Sequence, residues 1–155
     1  THLLPHYKDG LFELAFPEIV NYVDATFNTI PDKAHRAIAG LSMGGMHTLM
    51  ITANYPDMFN YIGLYSAGVD FSHLNMEEVP AYANLDAKLT KLAQGNPKLY
   101  WIACGNEDWL LPANKRLMER MDKDGLKYTF HESTRGHLWS NWRQYSLLFI
   151  PQLFK

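Results

Sequence analysis

One cysteine, Cys104, is all the thiol chemistry in this 155-residue chain. An internal disulfide is therefore excluded, and the redox compartment stays open. Excess charge of either sign is also lacking: 14 Lys and Arg stand against 16 Asp and Glu, a formal net charge of −2. That balance leaves no electrostatic footprint for nucleic acid or for an anionic membrane surface. Long apolar runs are absent too, each being broken by polar residues well short of a bilayer-spanning length. The opening THLLPHYKDG has none of the basic start, apolar middle and small-residue cleavage site of a signal peptide. No repeat and no low-complexity linker divides the chain. What is present, 47% hydrophobic and 19% charged residues, suits one globular domain long enough to bury a real core.

Strand-like and helix-like patterns alternate along that domain. Leu14, Ile19, Val23 and Phe27 recur at roughly helical spacing, and Pro17 predicts a helix beginning near it, because proline is tolerated in a first turn. Residues 36–41 read as a buried strand, followed by a helix from Gly44 to Asn54 that Pro56 stops. Tyr61 to Ser66 is a second strand, and Asn84 to Ala93 a helix beyond a loop with Gly68, Asp70 and Pro80. KLYWIAC (98–104) is a third strand, then comes a helix from Pro112 to Asp124 capped by Gly125. KYTFH (127–131) is a fourth strand, and a final helix from Leu138 to Phe154 carries Trp139, Trp142, Tyr145 and Phe149 on one face. Alternation of this kind predicts an α/β fold, a parallel sheet with helices on both faces. Chemistry in such sheets gathers beyond the carboxyl ends of the strands.

Beyond the first strand lies Gly40-Leu41-Ser42-Met43-Gly44, the G-x-S-x-G pattern of a nucleophile elbow between strand and helix. A turn that tight predicts small residues on both sides of the serine, whose hydroxyl is then held exposed in a strained conformation. The backbone N–H of Met43 would point at a developing oxyanion. A glycine-rich turn with an incidental serine is the plainer alternative. Beyond the third strand lies Gly105-Asn106-Glu107-Asp108, and beyond the fourth Ser133-Thr134-Arg135-Gly136-His137. Acidic loop residues and a lone histidine are usually just solvated, yet the order Ser, Asp, His is that of α/β-hydrolases. Asp108 is the preferred carboxylate for orienting His137, and Glu107 the runner-up.

The stretch EIVNYVDATFNTIPDKAHRAIAGLSMGG resembles α/β-hydrolases of the esterase D type, within carbohydrate esterase family one, which includes feruloyl and acetylxylan esterases. GNEDWLLPANKRL is similar to that family's acid loop, and RGHLWSNWRQYSLLFIPQLF to its histidine loop and Trp-rich helix. Carried over position by position, the resemblance implies Ser42 as nucleophile, Asp108 as acid and His137 as base. It also implies a serine carboxylesterase acting on feruloyl or acetyl esters of a plant polysaccharide such as xylan, in a secreted or periplasmic setting. Related readings on the same fold are an S-formylglutathione hydrolase-like thioesterase and an acyltransferase. The competing class is an inactive half-domain that binds a partner or carbohydrate. Family members commonly carry two glycines before the histidine, whereas this chain has Arg135-Gly136.

In the family, about half the sheet precedes the nucleophile strand and supplies a second oxyanion donor. The resemblance thus implies that residues 1–155 are the C-terminal part of an esterase domain. An open, apolar sheet edge is then expected beside the first strand, to be covered by the N-terminal half or by another chain.

Serine acyl transfer calls for no metal or organic cofactor. Prolines spoil His2 and His6 as a helical ligand pair, and His35, His47, His73 and His131 lack ligand-spaced partners. Trp109, next to the proposed acid, either lines a substrate pocket or simply packs. Trp101, Trp139 and Trp142 read as packing residues, Met46 and Met50 as core, and Met43 as a neighbour of the oxyanion.

Overall fold

A computed structural model describes residues 9–72 and 76–155; His2, His6 and His73 lie outside them. Four strands, β1 (Ala37–Leu41), β2 (Tyr61–Tyr65), β3 (Leu99–Gly105) and β4 (Thr129–Ser133), form one sheet in the order β1-β2-β3-β4. All three pairings are parallel, with Ala37 opposite Tyr61, Tyr61 opposite Leu99 and Trp101 opposite Thr129. Successive strands are joined through α2 (Met43–Asn54), α3 (Leu85–Gln94) and α4 (Leu111–Asp124). Two further helices, α1 (Leu11–Thr26) and α5 (Trp139–Phe149), flank the series.

The two-residue period of a strand sorts the core into two layers. Ile62, Leu64, Tyr100 and Ile102 face Leu49 and Met50 of α2, Leu89 and Leu92 of α3, and Leu117 and Met121 of α4. The alternate residues Tyr61, Tyr65, Trp101 and Ala103 face Trp142, Tyr145 and Phe149 of α5. Tyr65, Trp101 and Tyr145 meet edge to face, with ring centroids 5.5–5.9 Å apart, the arrangement aromatic quadrupoles favour. Gly63 leaves room for this layer, since a Cβ there would lie 3.1 Å from the Phe149 ring.

Three elements depart by more than one residue from the limits read in the sequence. α1 begins at Leu11, not near Pro17, which falls inside it. Tertiary contacts outweigh the proline: Glu13 is buried against His47, Phe12 packs on the His47 ring, and Phe16 joins the core. Gly10 turns the chain into this helix at φ 71°, against Ala81, where an added Cβ would sit 2.4 Å from the Ala81 Cβ. β4 lies two residues later than expected, because pairing with β3 fixes its limits and Leu126 is drawn into the core. α5 ends at Phe149 and tightens into a 3-10 turn over Ile150–Gln152, where Pro151 cannot continue the α pattern.

β1 pairs only with β2, so its outer edge is open among the described residues. Large apolar side chains are exposed beside that edge: Ile19, Val23, Ile30 and Phe154 gather near Ala37, and Ile150 lies along Ala37–Leu41. Phe16, Ile19, Val20, Val23, Phe59 and Phe154 line a groove of about 790 Å³ there.

Candidate active site

β1 delivers its last residue into a sharp turn at Ser42, which adopts φ 52° and ψ −119°. A positive φ at serine is strained, and the surroundings hold it there. The Ser42 N–H donates to the Tyr65 carbonyl at 2.9 Å, while the Ser42 carbonyl accepts from Gly68 at 2.7 Å and from Gly45 at 3.0 Å. A Cβ on Gly40 would fall 2.1 Å from the Gly44 carbonyl oxygen, and one on Gly45 2.7 Å from the Ala67 Cβ. Gly44 differs from expectation: a Cβ there would meet nothing within 4 Å. The tight positions are therefore Gly40 and Gly45, because in the first turn of α2 it is Gly45 that faces Ala67 beyond β2, while a Cβ on Gly44 would meet open space.

Asp108 sits beyond β3 and is only 3% exposed. Its Oδ1 accepts the Leu110 N–H at 3.0 Å, which locks the carboxylate to its own turn. His137, beyond β4, places Nδ1 3.0 Å from Asp108 Oδ2 and Nε2 2.9 Å from Ser42 Oγ. An Nδ1–H donated to the carboxylate leaves Nε2 free to accept the serine proton. Glu107 is exposed and makes no such contact. Met43 is the first residue of α2, so its N–H has no intrahelical acceptor.

The imidazole is framed by two indoles. Trp142 packs edge-on at 4.8 Å and is buried, while Trp109 lies at 5.5 Å and is 71% exposed. Trp139 departs from the packing role expected of it: it is exposed and touches Trp142. Cys104 is fully buried below Asp108, and burial, with the nearby carboxylate, pushes its thiol up to about 12. The remaining described histidines have other partners: His35 bonds Asp32, His47 bonds Glu13 and His131 stacks on Trp101. Met46 and Met50 are core, as read.

Arg135 occupies the left-handed region at φ 69°, the conformation glycine favours. The loop thus keeps a glycine-like shape despite its arginine. The Arg135 carbonyl presses on Gly105, where a Cβ would fall 2.0 Å from it, and accepts from the Glu107 N–H at 3.1 Å. Three supporting residues carried no individual signal in the sequence. Buried Asn141 donates to the Thr134 and Gly136 carbonyls at 2.9 and 3.1 Å, pinning the histidine loop to α5. Asn114 donates to the Ala67 and Leu110 carbonyls, tying the acid loop to the chain beyond β2. Ser66 accepts the Trp142 indole N–H at 3.2 Å. Their only sequence cue is a polar residue on an otherwise apolar helix face or strand end.

Residues 6–148 match the Esterase family. The chain belongs to that family. A 51-residue stretch is 53% identical to an endo-1,4-beta-xylanase/feruloyl esterase of Xylanibacter ruminicola, covering 33% of this chain and 7% of that protein. An acetyl esterase of Caldicellulosiruptor saccharolyticus is 27% identical over 157 residues, covering 83% of this chain and 58% of that one. Among solved structures, a ferulic acid esterase superposes with a TM-score of 0.71 at 25% identity, over 90% of this chain and 59% of its own. The chain thus spans less than two thirds of the length of these relatives. The sheet and its flanking helices are of the α/β-hydrolase kind that the sequence predicted.

Proposed function

We propose that this esterase-family chain carries the catalytic machinery of a serine carboxylesterase acting on feruloyl or acetyl esters of a xylan-type polysaccharide. One observation carries the reading: Ser42 Oγ, strained at a strand–helix turn, lies 2.9 Å from His137 Nε2, whose Nδ1 lies 3.0 Å from buried Asp108. The relatives named feruloyl esterase and acetyl esterase supply the substrate class.

His137 takes the Ser42 proton as Ser42 Oγ attacks the ester carbonyl, and Asp108 stabilises the imidazolium. The Met43 N–H, at the start of α2, bonds the tetrahedral oxyanion. His137 then protonates the departing alcohol, and water, activated by the same histidine, releases the acid from Ser42. The open edge of β1 is where the rest of an esterase domain pairs, as an upstream segment or a second chain. That part contributes the second oxyanion donor.

A fluorophosphonate probe, with hydrolysis of methyl ferulate and p-nitrophenyl acetate, tests the reading on this chain and on an N-terminally extended form. Ser42→Ala should abolish labelling and lower turnover by roughly 10⁴–10⁶-fold. Labelling that persists in Ser42→Ala would sink the assignment.

A further inference from the structure

A large indole standing 71% exposed beside a catalytic-type histidine calls for an account of what it meets. Trp109 is not on a loose loop. Its flanking residues are tied down, Asp108 by the Leu110 N–H and by His137, and Glu107 by the Arg135 carbonyl. The indole is therefore presented on a fixed backbone, 5.5 Å from the His137 ring and largely open to solvent.

The chemistry of acyl transfer then decides which part of an ester faces it. When the tetrahedral intermediate collapses, the bond between the carbonyl carbon and the alcohol oxygen breaks. The acyl group stays on Ser42 Oγ, and the alcohol leaves with the proton carried by His137 Nε2. The alcohol must accordingly lie on the histidine side of Ser42, within reach of Nε2, while the oxyanion lies toward the N-terminus of α2. Trp109, with its ring centre 5.5 Å from that of His137, stands beside the base that must reach the departing alcohol.

We infer that Trp109 is a specificity-determining residue for the alcohol half of the ester, its indole face stacking on the ring of the esterified sugar. An indole suits this: its π face is negative and meets the weakly positive C–H groups of a sugar ring, while its edge N–H serves a hydroxyl. The inference rests on the serine-esterase reading above, and it concerns leaving-group recognition, not the identity of the nucleophile.

Two esters of one acid make the test: methyl ferulate and a feruloylated arabinoxylan oligosaccharide, both hydrolysed by the active form defined above. They share one acyl-enzyme, so deacylation is common to both and only the alcohol differs. Trp109→Ala should lower kcat/KM for the oligosaccharide ester by roughly tenfold, the scale of losing one stacking side chain, and leave methyl ferulate within about twofold. Trp109→Phe, which keeps a ring face, should recover most of the oligosaccharide rate.

An equal fall on both esters would show that Trp109 only supports His137, and no change on either would show that it meets nothing; both overturn the inference. If neither ester is cleaved and the probe leaves Ser42 unlabelled, it is the esterase reading that fails. Saturation-transfer NMR of a xylo-oligosaccharide with the Ser42→Ala protein adds an arm independent of turnover. Transfer lost in Ser42→Ala/Trp109→Ala supports the stacking face, and transfer retained there, or absent from Ser42→Ala itself, removes it.

Discussion

At Ser42 the backbone bears a conformation that few serines adopt, and Ser66 and Arg135, just past β2 and β4, share its sign of φ. Strain of this kind gathers where loops must aim side chains at one point. The space around each glycine separates those that permit the turn from those that merely accompany it. Gly40→Ala drives a Cβ into the Gly44 backbone and should cost about 3 kcal/mol or more, at the upper end of overpacking. Gly44→Ala lies in the open first turn of α2 and should be neutral or raise stability by up to about 1 kcal/mol. Urea unfolding of the two variants checks this; equal destabilisation would contradict the geometry.

The carboxylates separate in the same way. Asp108→Asn should cost about 10⁴-fold in kcat by offering His137 the wrong hydrogen-bond partner, whereas exposed Glu107→Gln should cost little. A larger loss from the Glu107 change would reverse the two roles. Ser42, Asp108 and His137 could be singled out in sequence because each falls in the loop beyond its own strand, Ser42 immediately and the other two a few residues on. Sequence preferred Asp108 with Glu107 as runner-up, and in the structure Asp108 is buried against His137 while Glu107 is exposed.

Between elements, the least anticipated feature is the pair that joins α1 to α2. Glu13 and His47 are both buried, with Glu13 Oε1 2.5 Å from His47 Nδ1 and 3.4 Å from the Tyr82 hydroxyl. Removing one partner strands the other in the core. Glu13→Ala should therefore destabilise by about 3–5 kcal/mol, while Glu13→Leu combined with His47→Leu should recover most of that loss. Denaturation midpoints of single and double variants read the coupling, and additive losses would show that the two groups act independently. Sequence periodicity had no access to this pair, whose members are 34 positions apart. The same contacts explain why α1 starts upstream of Pro17. β4 slipped by two residues for a related reason, since a strand's limits belong to its neighbour as much as to itself.

For the whole molecule, the decisive feature is that β1, the strand leading to Ser42, lies at the edge of the sheet among the described residues. Its outer N–H and C=O groups, with the apolar residues beside them, form a template for pairing with another strand. If another segment covers that edge and supplies a second oxyanion donor, as proposed above, the 155 residues alone should self-associate and hydrolyse esters about 10²–10³-fold more slowly than the form that carries it. Sedimentation and ester hydrolysis, compared with the N-terminally extended form, check both expectations. A stable monomer as active as the extended form would show that the open edge needs no partner.

What the sequence by itself determined was the alternation of strand and helix, the elbow at Ser42 and the order of the three loop residues. These are local properties, set by turn chemistry and by the period of each segment. Only the tertiary structure decided that Asp108 and not Glu107 faces His137, that Asn141 and Asn114 brace the loops, and that Arg135 takes the shape of a glycine. It alone joined Glu13 to His47 and left Trp109 bare beside His137. Each of these depends on which segments become neighbours once the sheet has formed, and no periodicity along the chain encodes that.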